Sequence, residues 1–157
     1  MTRQEKYPDT QFFHYHNANP KKRITTDCVV RAITAAAEID YNIVVLAQAL
    51  VQIETGYDQA ENKGIDILMS KLGWEKRKQP RKADGTKYTG REFCEMIQQA
   101  YTDGFDQNNE RIDEDIVVGC RIIANIGGSH TAAIIDGKVW DTWDSTSGCV
   151  GNYWIKW

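Results

Sequence analysis

Apolar residues recur at helical spacing through the first hundred positions of this chain, and from Ile116 onward they fall into short β-branched runs instead. That change of period constrains the fold more than any other feature. It divides the chain into a helical half over about residues 25–104 and a β half over about 115–157, and helices followed by strands belong to the α+β class. With 157 residues, 41% of them hydrophobic and five tryptophans among them, the chain has enough apolar mass for one domain with its own core.

Within the helical half, Val29, Val30, Ile33, Ala36 and Ala37 mark a helix from 28 to about 38, with Thr26 or Asp27 placed to cap it. A second helix, from 40 to about 54, is apolar through Ile43, Val44, Val45, Leu46, Leu50 and Ile53, which predicts near-complete burial. A third carries Ile65, Leu68, Met69 and Leu72 and stops at Gly73. After a polar loop at 79–89, Thr89 caps a fourth with the stripe Phe93, Met96, Ile97 and Ala100, ending near Gly104. Residues 1–24, with Pro8 and Pro20, read as an irregular arm laid across the domain, and the acidic stretch 105–115 reads as a surface loop.

In the β half, 116–124 reads as a buried strand and 153–157 as a closing one. Between them, 131–135 and 138–143 flank Asp136-Gly137, a strong hairpin signal. The closing strand and the hairpin together predict an antiparallel sheet with the helical half packed against it.

Charge and composition exclude several functions. A net charge of −3 offers no general attraction for nucleic acid, and the basic stretch 71–87 is broken by acids and reads as a solvated loop. No apolar run approaches the length of a membrane span, and the N-terminus has no signal-like core, so a cytoplasmic setting (the protein's own cell or a host's) is expected. Cys28, Cys94, Cys120 and Cys149 lack metal-ligand spacing and are expected to be free thiols in a reducing compartment. His14 and His16 have no third ligand nearby and read as surface or packing residues. Neither a metal nor a cofactor is called for.

The chemistry is carried by Cys28, His130 and Asp141. Cys28 opens a helix, where unpaired amides and the positive dipole end favour a thiolate and could hold an oxyanion. Asp27 beside it, by its charge, opposes thiolate formation. His130 follows Gly127-Gly128-Ser129 at the mouth of an otherwise apolar strand. With Asp136-Gly137 as the turn, His130 lies opposite Trp143, and Asp141 shares its face at the diagonal distance of roughly 7–8 Å between backbones. Asp144 has the opposite parity. A thiol nucleophile, an imidazole base and a carboxylate that holds the imidazole's tautomer follow in that order. Trp143 is placed to shield the imidazole–carboxylate contact from water.

This constellation resembles the papain-like cysteine peptidase superfamily, in which the nucleophile opens the long helix of one half and the histidine and its Asn or Asp partner lie on a following β half. His130-Thr131-Ala132-Ala133-Ile134-Ile135 resembles the family's His-headed apolar strand. Asp141-Thr142-Trp143 is similar to its Asn-Ser-Trp, and Gly151-Asn152-Tyr153-Trp154 is similar to the close of its β half. The resemblance covers about residues 15–40 and 115–157. It implies one papain-like domain over residues 1–157 and an intracellular thiol hydrolase that cuts a peptide, isopeptide or other amide bond in a protein or peptide substrate. Six residues before Cys28, where the family often places an oxyanion glutamine, stands Lys22; Asn17 and Asn19 are the nearest candidate amides. Two further readings keep the fold: a thioester-forming acyltransferase or transglutaminase-like enzyme, and a catalytically silent binding module. The layout suits a phage or bacterial accessory protein.

Overall fold

A computed structural model of the protein describes residues 1–103 and 121–156. The elements are α1 (Arg3–Lys6), β1 (Phe13–Tyr15), α2 (Cys28–Ala37), α3 (Tyr41–Thr55), α4 (Asn62–Lys71), β2 (Glu75–Arg77), α5 (Gly90–Asp103), β3 (Arg121–Ile126), β4 (His130–Ile135), β5 (Lys138–Asp141) and β6 (Val150–Ile155). The class is α+β, as the change of period implies. The acidic stretch 105–115 and the start of the strand expected at 116–124, with Cys120, lie outside the described residues.

The strands form one sheet in the order β1-β5-β4-β3-β6-β2. Its centre is antiparallel and comes from the C-terminal half, but both edges do not. β1, from the N-terminal arm, runs parallel to β5, with His14 against Trp140. β2, from within the helical half, pairs antiparallel with β6. The sheet is therefore mixed, not antiparallel, and the arm is not irregular: Phe13 is fully buried in it. Three residues are too few for an alternating pattern to be visible, so an edge strand of this length leaves no periodic signature.

The layers differ from expectation as well. Alternate residues of the central strands enter two separate cores. Ile122, Ala124, Ala132 and Ile134 pack with Phe93, Cys94, Ile97 and Ala100 of α5. Ile123, Ala133, Ile135 and Trp154 pack with α2, α3 and α4. The sheet thus carries helices on both faces, where one helical layer was expected. The apolar residues that flank each other in β3 and β4 are explained by this, because a strand covered on both sides has no polar face.

The helices start and stop where local chemistry directs. Asp40 accepts hydrogen bonds from the Asn42 and Ile43 amides at the head of α3, and Thr89 and Glu92 form a reciprocal capping box at the head of α5. α3 departs from expectation in its burial. Only Val44 and Val51 are buried, whereas Ile43, Leu46, Leu50 and Ile53 are more than half exposed. A helix apolar on all sides reads as buried, but α3 lies in the outer layer and turns one narrow face to α2 and α4. No helix among the described residues is long and apolar enough to cross a membrane.

The β4–β5 hairpin turns at Asp136 (φ 51°) and Gly137 (φ 72°), the left-handed pair that a two-residue hairpin turn requires. A Cβ on Gly137 would sit 2.5 Å from Gln98 Cγ and 3.0 Å from the Cys94 carbonyl oxygen of α5. Gly137→Ala is accordingly expected to lower the unfolding free energy by about 1–3 kcal/mol, from backbone strain and the clash together. Urea denaturation measures it, and an unchanged midpoint would mean that α5 does not rest on this turn.

Candidate active site

Cys28 is the first residue of α2, with Asp27 in the N-cap position. The Asp27 backbone carbonyl accepts the first intrahelical bond, from the Arg31 amide at 2.9 Å, but its side chain caps nothing. Its carboxylate instead accepts from Arg31 Nε at 2.8 Å, from the Tyr41 hydroxyl at 2.6 Å and from Asn19 Nδ2 at 3.0 Å. Among the described residues no side chain therefore caps the first turn of α2, and Cys28, Val29 and Val30 line an open cavity.

His130 begins β4, immediately after the Gly127-Gly128-Ser129 turn that brings β3 back, and pairs with Ile126. Asp141 ends β5. Ala133 faces Trp140 and Ile135 faces Lys138, the register that sets Asp141 diagonal to His130 on one face. His130 Nε2 and Asp141 Oδ2 are in direct hydrogen-bond contact, so Nδ1 is the ring nitrogen left for the Cys28 thiol, which shares the cavity wall with His130. Cys28, His130 and Asp141 are brought together from two ends of the sequence.

Trp143 lies over the imidazole, with ring centroids 4.8 Å apart and a 49° tilt. Asp144, of the other parity, turns away; its Oδ1 accepts from the Thr146 amide at 3.0 Å and hydroxyl at 2.6 Å, which closes the following turn. Asn17 and Asn19 do not line the cavity. The Asn17 amide donates to the Arg23 carbonyl oxygen, and that of Asn19 donates to Asp27 and to Tyr41, so both side chains serve the approach to α2. His14 and His16 lie against Trp140, with centroids 4.4 and 5.2 Å away, and His14 pairs with Asp9 at 2.7 Å. Among the described residues no cluster of three or more His, Cys, Asp or Glu side chains is placed to hold a metal.

Arg31 escaped the sequence reading. It is the one charged residue of α2 and is buried. Beyond its bond to Asp27, its Nη1 donates to Asp141 Oδ1 at 2.6 Å and to the Thr142 hydroxyl at 3.2 Å. A single guanidinium thus ties the helix start to the carboxylate that holds His130. The available signal was an Asp and an Arg four apart on an otherwise apolar helix, the spacing of a helical ion pair. Arg31 also changes the role of Asp27: its carboxylate is ion-paired and hydrogen-bonded, not set against the thiol as a bare charge.

The electrostatics follow from this arrangement. Burial opposes ionisation of Cys28 most strongly, but the hydrogen bond from His130, the Thr131 backbone amide and the positive charges of His130 and Arg31 outweigh it, and the thiol lies below its ordinary value of 9.0. Burial acts against the imidazolium as well, yet bonds to Asp141 and Cys28 push His130 up to about 9. The two shifts belong to one coupled pair, in which the imidazolium favours the thiolate and the thiolate favours the imidazolium. Cys94 is the contrast: burial pushes its thiol up to about 12, the condition of an inert core cysteine.

The cavity measures about 530 Å³. Cys28 and His130 share its wall with Trp143, Ile65, Gln48 and Arg3, whose Nε donates to the Thr142 carbonyl oxygen at 2.7 Å. Its volume is in the range of sites that take small molecules or short peptide segments. Comparison with protein-family models, with curated proteins and with solved structures gives no match to the chain.

Proposed function

We propose that this protein is a papain-like thiol hydrolase, cleaving a peptide, isopeptide or other amide bond in a protein or peptide substrate. The observation that carries the reading is the joint placement of Cys28, His130 and Asp141, with the thiol open to a cavity beside the uncapped first turn of α2. The Cys28 thiolate attacks the amide carbon, and the oxygen, now negative, is held by first-turn amides of α2. His130, as imidazolium, gives its proton to the departing amine, and the carbon–nitrogen bond breaks to leave a thioester on Cys28. Water, deprotonated by His130, then attacks the thioester, releasing the acid and restoring the thiolate. Asp141 keeps His130 Nε2 protonated and oriented, and Trp143 covers that contact. The free thiols of Cys28, Cys94 and Cys149 accord with work in a reducing, intracellular compartment.

Alkylation by iodoacetamide near neutral pH tests this reading. Cys28 is expected to label selectively over Cys94 and Cys149, with a reactivity midpoint below 9.0. His130→Ala is expected to move that midpoint to higher pH, because it removes the thiol's hydrogen-bond partner and a positive charge. An unchanged profile would mean that the two groups are not coupled, and the hydrolase reading would fail. Turnover on any amide substrate is expected to fall on the alkaline side as His130 loses its proton near pH 9.

A catalytically silent binding module is the second reading. It is favoured by the commitment of both candidate amides, Asn17 and Asn19, to other partners. Slow, unselective labelling of Cys28 would favour it. An acyltransferase would share every step up to the thioester, and products formed with and without an added amine separate it from a hydrolase.

A further inference from the structure

We propose that two copies of this chain associate through α3, antiparallel, about a two-fold axis that crosses the seam at the level of Gln48 along the helix. The exposed side of α3 carries Ile43 (57% exposed), Leu46 (65%), Leu50 (55%) and Ile53 (78%). Their spacing of three, four and three residues is that of alternating seam positions in a coiled coil, and it confines them to an arc of roughly 80°. The face turned inward, with Val44 and Val51, is a different one.

The order of these residues points to the occupant. A two-fold contact is self-complementary: if residue i meets residue j, then j meets i. Ile43 and Ile53 lie five positions either side of Gln48, and Leu46 and Leu50 lie two either side. Two antiparallel copies in register at Gln48 therefore set Ile43 on Ile53 and Leu46 on Leu50, twice each, with side chains of matching kind and reach. Ala47 and Ala49 continue the symmetry.

Charge permits the pairing. Glu54 is the one charged residue of α3, and it is neutralised by Lys71 of α4 at 2.5 Å. In this register it approaches Asn42 of the other copy, so no like charges meet. From the exposed fractions, the stripe offers roughly 500 Å² of apolar surface per protomer, or about 1,000 Å² for the pair, which meets the lower bound for a specific interface. A lone patch of that size is also at the upper end of what a monomer leaves bare. Gln48 reaches the active-site cavity from the other side of the helix, so the contact leaves that cavity open.

Sedimentation equilibrium on the full chain tests this, over about 1–200 µM. A concentration-dependent dimer is expected. Leu46→Glu with Leu50→Glu is expected to raise its dissociation constant about a hundredfold or more, with an unchanged circular dichroism spectrum because both side chains are solvent-exposed in the monomer. Leu46→Glu with Leu50→Lys sets unlike charges opposite each other only in the antiparallel register and is expected to dimerise more tightly than the double-glutamate variant. A monomer at every concentration would overturn the proposal, as would a dimer indifferent to the double glutamate. Equal weakness of the two double variants would overturn the antiparallel register.

Discussion

Arg31→Ala is expected to lower the unfolding free energy by about 3–5 kcal/mol, the largest effect of any single change outside the cores. Arg31 is buried and bonded at once to Asp27 and Asp141. Its removal leaves two carboxylates, themselves largely buried, without their shared counter-charge, and the cost of an uncompensated buried charge exceeds what the pair contributes when intact. The sign of the pH dependence follows. In the native protein, burial raises the Asp27 pKa, but bonds from Tyr41, Arg31 and Asn19 outweigh it and hold the carboxyl below its ordinary 3.8. That stabilisation is present above pH 3.8 and is lost as pH falls through the lower folded value. Without Arg31 much of it is already gone, so the difference between native protein and variant should be greatest near pH 7 and shrink on acidification. Urea unfolding at pH 7 and at about pH 2.5, below the ordinary carboxyl value, measures both points. Arg31→Lys restores a positive charge but not the fork that reaches two carboxylates, and an intermediate stability is expected. A loss below about 1 kcal/mol for Arg31→Ala would mean that the cluster is not held together by charge.

Replacing Asp141 is expected to reduce Cys28 chemistry by about 10²–10⁴-fold, while Asp144→Ala leaves it nearly unchanged. Asp141 supplies one carboxylate oxygen to His130 and the other to Arg31. Asn at this position presents a single oxygen, so it can serve His130 or Arg31 but not both. Alanine serves neither; it frees the imidazole and also breaks the buried ion pair, so it should unfold more easily as well as react more slowly. Asp144→Ala removes the bonds to Thr146 alone and should cost about 1 kcal/mol of stability or less. Turnover, or the Cys28 alkylation rate in the absence of a substrate, compares the variants directly. Greater damage from Asp144→Ala than from Asp141→Asn would remove Asp141 from its positioning role.

Local sequence patterns carried far in this protein, because several of its elements are specified by neighbours in the chain. The Asp136-Gly137 turn admits one short hairpin, and side chains alternate along its strands. The relation of His130 to Trp143 and Asp141 was therefore legible without coordinates. The head of α5 was legible for a similar reason, since Thr89 bonds an amide three residues away, and α3 starts where its pattern implies, with Asp40 as the cap that the structure adds. Near Cys28, the same logic narrowed the cap position to Thr26 or Asp27 but did not reach the partners of Asp27. Arg31 and Tyr41 compete for that carboxylate, and only their placement in space decides the competition.

What the sequence by itself determined is helices α2 to α5, the central strands β3 to β6 and the β4–β5 register, since these rest on backbone geometry and contacts within a few residues. The tertiary structure decided which neighbour covers each face. It laid the N-terminal arm parallel to β5, set α5 on the side of the sheet opposite α2, left the long stripe of α3 in solvent, and joined Asp27 to Asp141 through Arg31. Periodicity reports which side of an element avoids water in the final state, but not whether a strand, a helix or a second molecule supplies the cover. That choice is made by contacts between residues a hundred positions apart, whose energies no local pattern encodes.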